Sequence, residues 1–368
     1  MMKKIMLVFG TRPDAVKMSP LVNELKKRSG FAVAVTVTGQ HRAMLDDVLS
    51  VFGITPDYDL SVMRTGQSLF DVMTDVLNGM KPVLEREKPD IVLVHGDTTT
   101  AFAAALACFY LHIPVGHVEA GLRTNDILTP FPEELDRRAI DLISCLDFAP
   151  TQSAADVLIK EGKSPDRVFV TGNTVVDALK ATISDEYTYP ELPIPDEGRL
   201  ILITMHRRES IGEPMERSLH AIREVLEKHP DCHALLPMHP NPAVREIVTR
   251  VFSGCGQVLL TEPLNVRDWH NLEARCYLCL TDSGGMQEEL PYLGKPVLVL
   301  RDKTERPEGV SGGAAKLVGT DADAIKESFT ELLDDREAYA KMAQIRSLYG
   351  DGDACRRIAD CLVPEKYK

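Results

Sequence analysis

A chain of 368 residues with 44% hydrophobic side chains is long enough for two ordinary domains, each with its own core, and too long for one small binding module. Its formal charge of −13 and pI near 5.3 exclude broad contact with nucleic acid or an anionic membrane, both of which favour a basic face, so any phosphate site must be local. No run approaches the ~18 apolar residues of a membrane span, and a soluble, cytoplasmic protein is expected.

The opening "MMKKIMLVFGTRPDAVK" has an apolar run cut off by Gly10, Arg12, Pro13 and Asp14, which makes it a first strand and not a secretory leader. Apolar runs then alternate with helix-period segments: "AVAVTVTG" and a helix from about 41, "DIVLVHG" and "TTTAFAAALACFYL", "IPVGHVEA", "LDFAPT", "RVFVTG". This βαβα order predicts a parallel sheet covered by helices. The proline- and acid-rich "SDEYTYPELPIPDEG", 184–198, breaks the pattern and reads as a linker. The alternation restarts with "RLILITM", "CHALLPM", "QVLL", "CYLCLTD", "PVLVL" and "AKLVG". The fold class is therefore α/β: two Rossmann-like, doubly wound parallel-sheet domains, 1–172 and 173–353, facing a cleft. The eight cysteines are scattered, and Cys276 and Cys279, the one close pair, lack a matching second pair; they read as buried free thiols.

Ligands of such sheets bind beyond the carboxyl ends of the strands. In the first half those ends carry Arg12 and Lys17, Asp97, Glu119 with Arg123, and Glu133 with Glu134. In the second half they carry His206, Arg207 and Arg208, then Ser283, Gly284 and Gly285 before a helix bearing Glu288 and Glu289. The first half offers carboxylates and the second offers donors for an anion. Glycines in "DSGG" let backbone approach a ligand closely, and free amides at a helix start attract phosphate. Plainer readings stand beside these: Asp97 as an N-cap, Glu133 or Glu134 as a first-turn residue favoured by the helix dipole, one of Arg207 and Arg208 as a solvated turn residue. Carboxylates crowded into one site would acquire raised pKa values and could exchange protons near neutrality. No G-x-G-x-x-G follows the first strand, no P-loop or G-x-S-x-G occurs, and the histidines lack metal-ligand spacing. Neither a cofactor nor a metal is expected.

Taken together, "FGTRPDAVKMSP", "VHGDTTT", "VGHVEAGLRT", "PFPEELDRR", "TGNTVVDAL", "HRRE", "TDSGG.QEE", "GKPVLVLRDKTERPEG" and "YGDGDA", running from Phe9 to Ala354, resemble the non-hydrolysing UDP-N-acetylglucosamine 2-epimerases. The resemblance implies a glycosyltransferase-B-like pair of domains with a final helix, within 354–368, crossing back to the first. It implies a homodimer that interconverts UDP-N-acetylglucosamine and UDP-N-acetylmannosamine, the latter for bacterial cell-surface polysaccharide. The reaction would eliminate UDP to a 2-acetamidoglucal and add it back. By the same resemblance Asp97, Glu119, Glu133 and His206 are catalytic, and Arg12, Ser283, Gly284 and Glu289 contact UDP, with Lys17 near the site. A second, allosteric nucleotide-sugar site maps onto Gln40, Ala43, Gly66, Gln67, Glu134, Arg207 and His239. Ala43 stands where glutamine is expected and Gly66 where some members have arginine. A hydrolysing epimerase, a glycosyltransferase of the same fold and a non-catalytic nucleotide-sugar sensor are the alternatives. The acid cluster speaks against the second and the full catalytic set against the third.

Overall fold

The computed structural model describes residues 2–39, 42–64, 66–189, 192–195 and 197–363. The chain folds into two compact units, one formed by the residues up to Ala181 together with the chain from Tyr349 onward, the other by Thr182–Leu348.

The first unit runs β1 (Lys3–Phe9), α1 (Arg12–Lys26), β2 (Phe31–Val37), α2 (Arg42–Val51), β3 (Tyr58–Asp59), α3 (Leu69–Glu87), β4 (Ile91–His95), α4 (Thr99–Tyr110), β5 (Val115–Val118), α5 (Glu133–Ile143), β6 (Leu146–Ala149), α6 (Gln152–Lys160), β7 (Val168–Val170) and α7 (Thr174–Thr182). Its seven parallel strands lie in the order β3-β2-β1-β4-β5-β6-β7. β1 and β4 are near-continuous apolar runs because helices cover the sheet on both faces. The local chemistry starts each helix: Thr11 and Asp14 form a capping box with Pro13 in the first turn of α1, and Ser68 and Asp71 do the same for α3. α4 is alanine-rich, which lets it bury Ala103, Ala104 and Ala105 against the sheet.

The second unit continues with β8 (Arg199–Thr204), α8 (Glu213–Lys228), β9 (Cys232–Pro237), α9 (Pro242–Phe252), β10 (Val258–Thr261), α10 (Val266–Arg275), β11 (Leu278–Thr281), α11 (Met286–Tyr292), β12 (Val297–Val299), α12 (Pro307–Ser311), β13 (Ala315–Leu317), α13 (Ala322–Asp334) and α14 (Arg336–Ala343). Its six parallel strands lie in the order β10-β9-β8-β11-β12-β13. Both sheets are doubly wound and Rossmann-like, and two of them in one chain is the glycosyltransferase-B-like composition.

The structure divides the chain at points other than those expected. α7 belongs to the first unit, so the boundary falls nine residues later than 172/173, and the return begins at Tyr349. There Asn173 N donates to Tyr349 O at 2.7 Å. Gly172 and Gly350 both have positive φ (86° and 119°), and a Cβ on Gly350 would lie 3.0 Å from Gly172 Cα, so neither tolerates a side chain. The last helix, α15 (Ala354–Cys361), starts on Asp177, which accepts from Ala354 N and Cys355 N at 3.1 and 2.9 Å, and ends near α1, where Arg28 pairs with Asp360 at 2.6 Å. The supposed linker is not a free tether: Tyr189, Leu192 and Ile194 pack on the second unit's core beside Leu200 and Trp269. Their apolar side chains were diluted in sequence by prolines and acids. All eight cysteines are free, and burial pushes the Cys276 thiol up to about 12. No helix of the described residues is long and apolar enough to cross a membrane.

Candidate active site

In each sheet the strand order reverses at one point, and the loops leaving the flanking strands carry the expected residues. In the first sheet the reversal lies between β1 and β4. Arg12 opens α1, and Lys17, one turn further, is buried. The Lys17 Nζ bonds Glu119 Oε2, which also accepts from Asn173 Nδ2 at 2.7 Å. Glu119 directly follows β5 with φ 66°, a left-handed conformation that costs a residue with a Cβ about 1–2 kcal/mol. Lys17, Asn173 and the amide bond from Glu119 N to Phe148 O (3.1 Å) over-determine it. His95, the last residue of β4 and fully buried, stands 3.5 Å from both Glu119 and Asp14. Burial alone would lower its pKa, but Glu119 and Asp14 outweigh that and raise it to about 9. Glu119 is thus a buried carboxylate between two cations.

A second group of acids surrounds the start of α4 and α5. Thr98, not Asp97, caps α4, its hydroxyl accepting from Ala101 N. Asp97 is therefore free of the capping role that its position suggested, and its Oδ2 is bonded by Arg137. Glu133, Glu134 and Asp136 fill the first turn of α5, where the helix dipole favours carboxylates. Their side chains go different ways. Glu134 is fully buried, pairs with Arg137 at 3.2 Å and accepts from Thr124 N at 3.1 Å. Asp136 accepts from Thr99 Oγ1 at 3.2 Å, and burial first, then Asp97 and Glu133, raise its pKa to about 7 despite that bond. Glu133 keeps one buried carboxylate oxygen without a hydrogen-bond partner, an acceptor available to something else.

In the second sheet the reversal lies between β8 and β11, and the loops leaving those two strands are tied together. Asp282, fully buried after β11, accepts from the backbone N–H of both His206 and Arg207 at 2.8 Å, fixing the "HRR" turn. His206 Nδ1 lies 3.5 Å from the other Asp282 oxygen, and the ring stacks on His239 at 5.4 Å. Burial, with Arg207 and His239 nearby, lowers the His206 pKa against the opposing pull of Asp282. Ser283 and Gly284 precede α11; a Cβ on Gly284 would lie 2.9 Å from the Glu305 carboxylate and 3.3 Å from the Arg306 guanidinium, so a side chain there would displace that pair. Behind it burial would raise Glu305, but Arg306, Arg301 and Arg207 hold it at about 2. Glu289 is buried in α11 with His270 and Glu273, their ligand atoms all within 4.8 Å of one another.

The structure thus joins Lys17 to Glu119 in one unit, gathers Asp97 and Glu133 around Asp136, and places His206 beside Ser283 and Gly284 through Asp282 in the other. Gln40 lies outside the described residues. The proposed second-site residues have partners of their own: Gln67 Nε2 donates to Val62 O and Asp75, Glu134 holds two arginines, Arg207 faces Glu305 at 3.6 Å, and His239 stacks on His206. His95, Asp136, Arg137, Asn173, Asp282 and Glu305 were not foreseen as site residues. Asp136 was detectable, since it follows Glu133 by three residues and shares its helix face. A second buried cluster, His117, Asp141 and Asp147, could hold a cation in principle, but Arg123 and Lys163 already supply the positive charge there, at 2.7 and 3.0 Å.

Comparison with known proteins places the whole chain beside one family. A family model described as UDP-N-acetylglucosamine 2-epimerase matches residues 23–363. The UDP-N-acetylglucosamine 2-epimerase of Bacillus subtilis (strain 168) is 52% identical over 360 residues, covering 98% of this chain and 95% of the relative. Among solved structures, the chain is similar to UDP-GlcNAc 2-epimerase from Neisseria meningitidis bound to UDP-GlcNAc, with TM-score 0.93 and 46% identity over 98% of this chain and 99% of that one. It is also similar to the Methanocaldococcus jannaschii UDP-GlcNAc 2-epimerase in complex with UDP-GlcNAc and UDP, with TM-score 0.83 and 30% identity over 98% and 99%.

Proposed function

The chain belongs to the UDP-N-acetylglucosamine 2-epimerase family, and from that premise we propose that it inverts C2 of the sugar by eliminating and re-adding UDP, without net hydrolysis. The observation that carries the reading is Glu119, a buried carboxylate held by Lys17 and Asn173 in the unit that also carries Asp97 and Glu133. The C2 hydrogen is not next to a carbonyl, so its removal needs C1 made electron-poor. A carboxylate takes the C2 proton while the C2–H electrons form the C1=C2 double bond and the C1–O electrons leave with UDP. The reverse addition delivers a proton to the opposite face, giving UDP-N-acetylmannosamine. Asp97, Glu119 and Glu133 serve as the proton-transfer acids of the two faces. His206 donates a hydrogen bond to the departing phosphate oxygen, work of the kind typically worth about 10²- to 10⁴-fold. Arg12, Ser283, Gly284 and Glu289 bind UDP.

In deuterated water this mechanism is expected to place deuterium at C2 of recovered UDP-sugar. Free N-acetylmannosamine with UDP, and no label in intact nucleotide sugar, would instead identify a hydrolysing enzyme. We also propose a homodimer, supported by apolar side chains that the first unit leaves exposed, Phe70 (86%) and Leu142 (85%) above all. Light scattering is expected to report twice the chain mass, and a monomer at micromolar concentration would end that reading.

A further inference from the structure

Asp136 sits in the first turn of α5, three residues after Glu133, and is 4% exposed. Thr99 reaches it from α4, Asp97 acts on it from the turn after β4, and Glu133 acts on it from its own helix. Among the described residues no lysine, arginine or histidine forms an ion pair with it. Arg137, next to it in the chain, spends its guanidinium on Asp97, Glu134 and the Leu122 carbonyl. A buried carboxyl with two acidic neighbours and no cation is shifted toward the neutral acid.

We propose that Asp136 is a positioning residue that carries a proton through the working pH range, keeps the charge around Asp97 and Glu133 low, and by losing that proton sets the alkaline limit of the reaction. Its pKa near 7 fits this role. The negative charges of Asp97 and Glu133 hold the proton on Asp136 more firmly. The native state then binds a proton that an unfolded aspartate, with a pKa near 3.9, releases. Stability from this group is therefore complete below about pH 4 and is lost as pH rises to about 7.

The test uses the full chain and Asp136→Asn, which mimics the neutral acid permanently. The melting temperature of the variant relative to wild type is expected to climb between pH 5 and 8; a difference that does not change with pH overturns the inference. That arm does not depend on the epimerase reading, so the two can fail separately. In the kinetic arm, which rests on that reading, wild-type kcat/KM is expected to decline above pH 7 and the variant to lack that decline. The same decline in both overturns the proposal. Thr99→Val removes the hydroxyl that favours the ionised form, so its decline is expected at higher pH than in wild type; an unchanged or lower midpoint counts against the proposal.

Discussion

Glu119→Gln is expected to lower kcat about 10²- to 10⁴-fold while leaving UDP affinity within about twofold, the range typical for loss of a positioned proton-transfer group. Glutamine keeps the shape and one carbonyl oxygen, so Lys17 and Asn173 retain an acceptor and the left-handed backbone at 119 keeps its anchors. What disappears is the negative charge that can accept a proton. Lys17, 8% exposed, then loses the negative charge of Glu119, and some stability should be lost with it. Circular dichroism would confirm folding, titration calorimetry with UDP would measure binding, and C2 exchange in deuterated water would measure chemistry. A parallel fall in UDP affinity would mean that Glu119 shapes the nucleotide site and is not a proton-transfer group. Full exchange activity would remove it from the mechanism.

Arg137→Met is expected to destabilise the first unit by about 3–5 kcal/mol, the cost of leaving buried charges without their partner. Arg137 is among the largest fully buried side chains; it bonds Asp97 Oδ2, pairs with Glu134 and donates to the Leu122 carbonyl. Methionine fills most of the volume but supplies no donor, so among the described residues Glu134, which is fully buried, keeps Arg138 at 3.5 Å and the Thr124 amide. Asp97 loses its only bonded cation among the described residues, so activity should fall even at temperatures where the variant is folded. The comparison is Arg208→Met, an exposed site where a change within about 0.5 kcal/mol is expected. Equal shifts of the two urea midpoints would show that the Arg137 network contributes nothing beyond packing.

These two residues show how unevenly the site could be read from the chain. Glu119, Asp97 and His206 were visible because each follows a hydrophobic strand, and strand ends in a doubly wound sheet are where ligands bind. Arg137 stands close in sequence to Arg123 and Arg138, and nothing in that spacing distinguishes the three. Arg123 turned out to bridge Asp141 and Glu161, and Arg138 to flank Glu134 and Glu161, while Arg137 entered the acid cluster. Linear proximity could not separate them, because the face of α5 and the neighbouring helix decide which guanidinium turns inward. The sequence placed Glu119, Glu133 and Glu134 together as carboxylates at strand ends, and the structure gives them different neighbours. Glu134 took an arginine, and the carboxyl raised by its acidic neighbours is Asp136.

Apolar runs of strand length alternating with helical periods determined two parallel-sheet domains, because period and length are local properties of the chain. The capping residues and the charged strand ends were local as well. Partnership was not. Asn173 reaches Glu119 across 54 residues, Asp282 fixes the amides of His206 and Arg207 from a neighbouring strand, and the chain from Tyr349 onward rejoins the unit it left at Ala181. Whether a buried acid meets a cation, an amide or another acid depends on elements distant in sequence that are brought within a few ångströms by sheet order. That decision, and with it the raised pKa of Asp136 and the lowered pKa of His206, belonged to the tertiary structure alone.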